Sequence, residues 1–190
     1  EGTFGVVTRA TLRLVRKPAG VCTMLASFAE VAQSSASVSG IVAAGIVPAA
    51  MEMMDQISLE AIAQFVPEAN LPTNLPAVLL VELEGVPEEL ESQEEAVRAV
   101  FARQQAREVR VAADKHERDL LWLGRKSAFG AMGRISRNYY VQDGVIPRTT
   151  ITEVLAEIAQ VSEFFGIPIA NVFHGGDGYL HPLLLFVVRE

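Results

Sequence analysis

The stretch that decides the fold lies near the end of the chain and reads Val172-Phe-His-Gly-Gly-Asp-Gly-Tyr-Leu-His-Pro182. An Asp-Gly pair between two apolar runs predicts a two-residue hairpin turn, because both turn positions need positive φ. With Asp177-Gly178 at the tip, His174 lies directly opposite His181, with Cβ atoms roughly 4.5–5.5 Å apart on one sheet face. Two of the three histidines in the chain are therefore predicted to meet.

Two imidazoles at that spacing can share one metal ion, since neutral imidazole is a common ligand of zinc and neighbouring transition metals. A hairpin with two stacked or exposed histidines and no metal explains the same spacing. A catalytic zinc site normally has three protein ligands and one open position. The segment offers only two, because Asp177 at the tip points away from the pair. The spacing by itself leaves both interpretations open.

Outward from this hairpin, strand and helix periodicities alternate along the chain. Ala77–Leu83 is a nearly continuous apolar run and is predicted to be a buried central strand. Amphipathic helices are predicted at Glu88–Gln105 and Thr150–Phe165, the second ended by Gly166, and Asp114–Met132 is a further predicted helix.

Two predictions concern the first third of the chain. Alternating side chains predict a β segment within Glu1–Lys17, and Ser58 is predicted to be the N-cap of a short helix that ends at Phe65.

This pattern indicates an α+β fold, specifically a ferredoxin-like antiparallel sheet with helices packed on one face. A doubly wound parallel sheet is the competing architecture. No Gly-rich phosphate loop follows an early strand, which argues against the nucleotide-binding version of that alternative.

Composition excludes several classes of function. A formal net charge of −7 without clustered Lys and Arg is unsuited to nucleic-acid binding. The single cysteine, Cys22, rules out a disulfide framework within the chain and favours a reducing compartment, so a cytoplasmic location is expected. Cys22 has no activating neighbour in sequence and is predicted to be a small buried hydrophobe.

Four segments together resemble one family. The stretch from His174 to His181 resembles the H-x-G-D-G-N-L-H motif of the FAD-linked oxidase C-terminal domain, found in the glycolate oxidase FAD subunit and in D-lactate dehydrogenase. Residues Glu1–Thr8 resemble the E-G-T-L-G-I-V-T stretch that closes the family's flavin domain. Trp122–Lys126 and Tyr140–Arg148 resemble the helix and strand that line the substrate pocket in glycolate oxidase.

The resemblance implies a fragment of a flavoprotein, an FAD-dependent 2-hydroxyacid oxidoreductase similar to glycolate oxidase. Residues 1–17 are expected to be the tail of the flavin-binding domain, and residues 18–190 the substrate and metal domain, with both ends of the chain cut. FAD is expected to be bound mainly by the missing domain, with Gly2 and Gly5 lying against it. The fragment alone is expected to be inactive.

The resemblance also assigns site residues. His174 and His181 match the histidines that bind a divalent metal, zinc, iron or manganese, which holds the substrate hydroxyl and carboxylate. The third ligand of the family is a glutamate expected beyond Glu190. Arg125 matches the arginine that grips the substrate carboxylate, and Arg148 is a further candidate for the pocket.

The local sequence also supports a carboxylate-binding role for Arg125, because Trp122 and Phe129 lie on the same helix face and can desolvate its guanidinium. Three departures favour a small 2-hydroxy acid over a dicarboxylate. Tyr179 replaces the motif asparagine, Phe129 replaces a polar residue, and Val141 stands near a pocket lysine of some members.

The expected partners are the flavin-binding domain of the same chain, further oxidase subunits including an iron–sulfur subunit, and a second copy in a homodimer. Those subunits would bring the protein to the inner face of the membrane. Two alternatives remain: a ferredoxin-like small-ligand-binding or dimerisation module without catalysis, and a stand-alone two-histidine metal protein. A flavin-binding pattern earlier in the full reading frame would decide among the three.

Overall fold

The computed structural model describes residues 4–188, which contain eight strands and five α-helices. The strands are β1 (Gly20–Phe28), β2 (Ala50–Asp55), β3 (Ala77–Gly85), β4 (Glu108–Val111), β5 (Asn138–Val141), β6 (Gly144–Val145), β7 (Ile169–His174) and β8 (Tyr179–Phe186). The helices are α1 (Val31–Ala43), α2 (Gln56–Phe65), α3 (Pro87–Arg103), α4 (Lys115–Ala131) and α5 (Ile151–Phe165).

All strands belong to one antiparallel sheet with the order β4-β1-β3-β2-β7-β8-β5, and the short β6 also pairs with β8. In the first half, β3 lies between β1 and β2, which is the split βαβ arrangement. Pairing of β2 with β7 joins this half to the hairpin that carries the two histidines. The predicted α+β class and antiparallel sheet are confirmed.

The expectation that all helices pack on one face is wrong. Side chains of β3 alternate, so that Leu79 packs in a core with residues of α1, α3 and α5, whereas Val78 and Leu80 pack in a second core with residues of α2 and α4. Because the central strand is apolar on both sides, leaving either face bare would expose a large apolar surface. The sheet is therefore covered on both faces.

The β segment predicted within Glu1–Lys17 does not form in the described part of that range. Residues 5–18 have no regular secondary structure, and Leu12 and Leu14 are exposed. Their alternating side chains have no partner strand within residues 4–188, and a single strand cannot satisfy its own backbone groups.

The predicted helices agree with the structure to within two residues at each end, and Gly166 ends α5 in the left-handed conformation with φ of 63°. The predicted cap of α2 is wrong, since Asp55 rather than Ser58 occupies that position. Asp55 accepts hydrogen bonds from the backbone N–H and hydroxyl of Ser58 at 2.9 and 2.7 Å. Its second oxygen accepts from the backbone and side-chain nitrogens of Asn171 in β7, at 2.6 and 3.1 Å.

Asp55 therefore caps a helix and ties β2 to β7 with one buried carboxylate. Burial raises the pKa of Asp55 above its ordinary value, although the four hydrogen bonds oppose that rise. The same carboxylate stands at the end of the strand that carries Glu52, so it helps to hold that strand in place.

We expect Asp55→Ala to lower the free energy of unfolding by about 2–4 kcal/mol, because it leaves buried N–H groups without acceptors. Asp114→Ala is the matched control, since Asp114 caps α4 through the Glu117 N–H at 2.9 Å in an exposed position. That variant should lose only about 1 kcal/mol. Urea unfolding followed by circular dichroism measures both, and equal losses would contradict the role assigned to Asp55.

Candidate functional site

The histidine hairpin has a longer turn than predicted. Residues 175–178 form the turn, His174 pairs with Tyr179, and His181 pairs with Val172, so the predicted register is wrong by two residues. Only Gly178 of the Asp-Gly pair has positive φ, at 74°, and its N–H donates to the His174 carbonyl at 3.1 Å. A Cβ at Gly178 would lie 2.2 Å from the carbonyl oxygen of Ile146, so glycine is required there.

Both histidines nevertheless lie on one face of the sheet, as predicted, because a shift of two residues keeps side chains on the same side. Their ring centroids are 5.3 Å apart, and the rings are nearly perpendicular at 82°. Tyr179 lies beside His181 at 4.6 Å between centroids, and Phe129 of α4 contacts the same ring at 5.5 Å. The His174 side chain is 41% exposed and the His181 side chain 12%, so His174 is the more accessible of the two.

A buried carboxylate that sequence reasoning missed connects His174 to Arg125. Glu52 in β2 stands directly opposite His174 in β7. One Glu52 oxygen lies 2.8 Å from His174 Nδ1, and the other lies 3.0 Å from Nε and 2.7 Å from Nη2 of Arg125. Glu52 and Arg125 are 6% and 5% exposed. The only sequence signal was a lone glutamate inside an apolar strand.

The second histidine has its own carboxylate. Asp143 lies between β5 and β6, and its Oδ1 is 2.6 Å from Nδ1 of His181. An ionised carboxylate only accepts hydrogen bonds, so Nδ1 of each histidine must donate. In the neutral ring this places the lone pair on Nε2, the state in which imidazole binds a metal or accepts a proton.

Helix α4 is fixed on the sheet by two buried carboxylates, Glu52 and Glu82, each paired with an arginine of the helix. Glu82 of β3 accepts hydrogen bonds from Nε and Nη2 of Arg118 at 2.8 Å each, from Trp122 Nε1 at 2.5 Å and from the Thr23 hydroxyl at 2.9 Å. Burial alone would raise the pKa of Glu82, but these hydrogen bonds outweigh it and the pKa lies below its ordinary value. Arg118 and Arg125 are two helical turns apart, so Glu82 and Glu52 hold α4 at two separate points.

A cavity of about 300 Å³ opens beside His174 and Glu52. Its polar wall also includes Arg148 and Asp177, and its apolar wall comes from Val42 and residues 46–51. Arg148 donates from Nη1 to the Gly176 carbonyl at 3.0 Å and is exposed. Arg125 is not part of this wall, although its buried Nη2 has no well-directed hydrogen-bond acceptor within residues 4–188.

The remaining candidate residues lie elsewhere. Gly5 is exposed, and a Cβ there would meet no atom within 4 Å, while Gly2 lies outside the described residues. Cys22 is half-buried and donates weakly to Glu94 at 3.5 Å. Burial, followed by the charge of Glu94, raises the pKa of Cys22 to about 11. A thiol with that pKa is not a nucleophile near neutral pH.

The histidine pair fits two ligands of a metal but not a complete site. Two imidazoles bound tetrahedrally to one ion at about 2.1 Å per bond have ring centroids about 5 Å apart, close to the 5.3 Å found here. Among the described residues, however, no group of three or more His, Cys, Asp and Glu side chains is arranged to hold a metal ion. The metal site therefore stays a prediction.

The fold resembles that of a domain in two solved structures. The match with p-cresol methylhydroxylase with substrate bound covers 90% of this chain and 39% of that protein, with a TM-score of 0.64 and 11% identity. The match with 4-ethylphenol oxidase from Gulosibacter chungangensis covers 92% of this chain and 40% of that protein, with a TM-score of 0.62 and 13% identity. At these identities the likeness concerns the fold alone.

Sequence similarity gives the family. The model of "FAD linked oxidases, C-terminal domain" matches residues 17–190, and the chain belongs to that family. The chain is 43% identical over 190 residues to the glycolate oxidase subunit GlcD of Escherichia coli and 35% identical to that of Bacillus subtilis, and it spans 38% and 40% of their lengths. It is 29% identical to a probable mitochondrial D-lactate dehydrogenase of Danio rerio. Within residues 4–188, no helix has the length and apolar character needed to cross a membrane.

The buried pair of Glu52 and Arg125 should be strongly coupled in stability. Glu52→Met or Arg125→Met alone should lower the free energy of unfolding by about 3–5 kcal/mol, because each leaves a buried charge uncompensated. The double variant should lose much less than the sum of the two. A thermodynamic cycle from urea unfolding measures this coupling.

The exposed pair of Glu94 and Arg98, one helical turn apart at 2.8 Å, is the matched control. Its coupling should be only about 0.3 kcal/mol. Additive losses at Glu52 and Arg125 would contradict the buried ion pair.

Proposed function

We propose that this chain supplies the substrate side of the active site in an FAD-dependent 2-hydroxyacid oxidoreductase of the glycolate oxidase type. The observation that carries the proposal is the histidine pair, 5.3 Å apart with both Nδ1 atoms held by carboxylates, beside a cavity that Arg148 lines. The names of its relatives, glycolate oxidase subunit and D-lactate dehydrogenase, supply the substrate class.

His174 and His181 are proposed to contribute two ligands to a divalent metal, zinc, iron or manganese. When bound, that metal supplies a Lewis acid for the substrate hydroxyl, and FAD supplies the hydride acceptor. The chain's own residues then bind and orient the substrate. Arg148 lines the cavity and is suited to receive a carboxylate first. Arg125 is proposed to act behind it, from a buried position in which its Nε and Nη2 lie 3.0 and 2.7 Å from Glu52.

The substrate is proposed to be a small 2-hydroxy acid such as glycolate or D-lactate. Tyr179 and Phe129 place aromatic rings at 4.6 and 5.5 Å from the His181 ring, at two positions where the family pattern has polar residues. These rings fill space that the second carboxylate of a dicarboxylic acid would need, and they offer it little polar compensation.

The larger assembly is also part of the proposal. We propose that residues 1–17 belong to the end of the flavin-binding domain, with Gly2 and Gly5 near the flavin, and that residues 18–190 form the substrate and metal domain. In support, residues 5–18 lie outside the sheet and the family match begins at residue 17. The proposed partners are that flavin domain, an iron–sulfur subunit and a second copy. The location proposed is the cytoplasm, at the inner membrane face when assembled.

In the full-length enzyme, His174→Ala should lower kcat with glycolate or D-lactate at least about 100-fold, because polarisation of the hydroxyl is lost. His116→Ala is the control, since His116 is exposed on the first turn of α4, and it should keep wild-type kinetics. Steady-state kinetics with both substrates provide the measurement. Near-wild-type turnover of His174→Ala would remove the metal and substrate role from this hairpin.

The two arginines should differ in kinetics. Arg148→Ala should raise KM roughly 10-fold with a smaller change in kcat, because an exposed guanidinium contributes mainly to substrate binding. Arg125→Ala should lower kcat as well, because it also releases Glu52 from its buried pair. The exposed Arg107→Ala serves as control. An unchanged KM in Arg148→Ala would show that the cavity does not bind the substrate.

A further inference from the structure

The two histidines of the site share one feature: Nδ1 of each is held by a carboxylate. We propose that Glu52 and Asp143 are positioning residues that fix the tautomer and ring orientation of His174 and His181, so that both Nε2 lone pairs are presented together. Glu52 also couples this arrangement to Arg125. The inference rests on the proposed function of the hairpin, and it adds two residues that act through the histidines rather than on the substrate.

Main-chain pairing places Glu52. It is the cross-strand partner of His174 between β2 and β7, so the two side chains rise from the same face at the shortest available separation. A slip of one residue in β2 would send Glu52 to the opposite core, and β2 is paired on both sides, with β3 and β7. The sheet therefore holds the acceptor in place before any ligand binds.

The register of β5 and β6 against β8 places Asp143. Val141 pairs with Leu183 and Gly144 pairs with Leu180, so the two residues between them, Gln142 and Asp143, come opposite Pro182 and His181 in the same register. Pro182 has no N–H to donate, but the Gln142 N–H donates to the Pro182 carbonyl at 3.0 Å, which holds the segment from which Asp143 reaches His181. The Asp143 side chain is 34% exposed, against 8% for Glu52, so its hydrogen bond is more screened by solvent and should contribute less.

Arg125 makes Glu52 sensitive to a near-isosteric change. In Glu52→Gln the guanidinium of Arg125, which has only donors, requires the amide oxygen. The amide nitrogen must then face His174, where it donates to Nδ1 and favours the tautomer with the proton on Nε2. That tautomer has no lone pair on Nε2, so His174 is lost as a ligand while its ring stays in place.

The first experiment measures metal affinity apart from activity. Full-length, FAD-loaded protein is stripped with a chelator and titrated with Zn²⁺ alone or Mn²⁺ alone against a chromophoric competitor, well below the melting temperature of every variant. Glu52→Gln should weaken metal binding 10–100-fold, and Asp143→Asn should weaken it by about 10-fold or less. His174→Ala sets the scale for loss of a ligand.

Glu82→Gln is the matched control. Glu82 is a second buried carboxylate that faces α4, pairs with Arg118 and has no hydrogen bond to a histidine. Its loss should lower the melting temperature, as the loss of Glu52 does, yet leave metal affinity within about two-fold. Equal weakening by both variants would show a general loosening of the domain and would overturn the positioning role.

The second readout is the tautomer itself. In ¹⁵N-histidine-labelled protein without metal, the ring nitrogens should show Nδ1–H for both histidines, and Glu52→Gln should invert His174 alone. If His174→Ala weakens metal binding while Glu52→Gln changes neither the affinity nor the tautomer, the positioning inference is wrong and the proposed site stands. If His174→Ala binds metal as the wild type does, the proposed function fails first.

Discussion

The Glu52 carboxylate is the contact on which the rest of the site depends. It sits in a sheet covered on both faces, where an unpaired charge is costly, and it shares its two oxygens between Arg125 and His174. This one group joins β2, β7 and α4. Any shift of α4 along the sheet would break the ion pair and leave both charges buried. Glu52 therefore links the position of the helix to the hydrogen bond at Nδ1 of His174.

Coverage of both sheet faces is what makes such a contact possible. On the α2 and α4 face, Val78 and Leu80 of β3 lie in an apolar core that also holds residues from β7 and β8. Two acidic residues, Glu52 and Glu82, interrupt that face, and each is met by an arginine from α4. The apolar surround excludes water and strengthens each pair, while the pairs fix the rotation and height of the helix, which apolar packing alone fixes less sharply.

The same geometry separates two kinds of residue at the site. His174 and Arg148 line the cavity and are available to a ligand. Glu52, which also borders the cavity, and Asp143 hold the imidazoles through Nδ1, and Phe129 and Tyr179 cover His181 with aromatic rings. A site built in this way presents one open histidine and one shielded histidine.

Local sequence determined much of this protein. Periodicity was enough to predict the long helices and the central strand, because burial patterns of 3.6 and 2 residues are properties of the chain itself. Periodicity also placed both histidines on one face of the sheet, because a shift of two residues in the hairpin register leaves each side chain on the same face.

The tertiary structure decided what depends on residues far apart in sequence. The hairpin register followed from Gly178 alone taking positive φ, not from the Asp-Gly pair. Coverage of both sheet faces followed from the packing of five helices against a strand that is apolar on either side. Glu52 lies 73 residues from Arg125 and 122 from His174, and Asp143 lies 38 from His181. No local pattern can pair such groups, because only the order of strands in the sheet brings them within hydrogen-bonding distance.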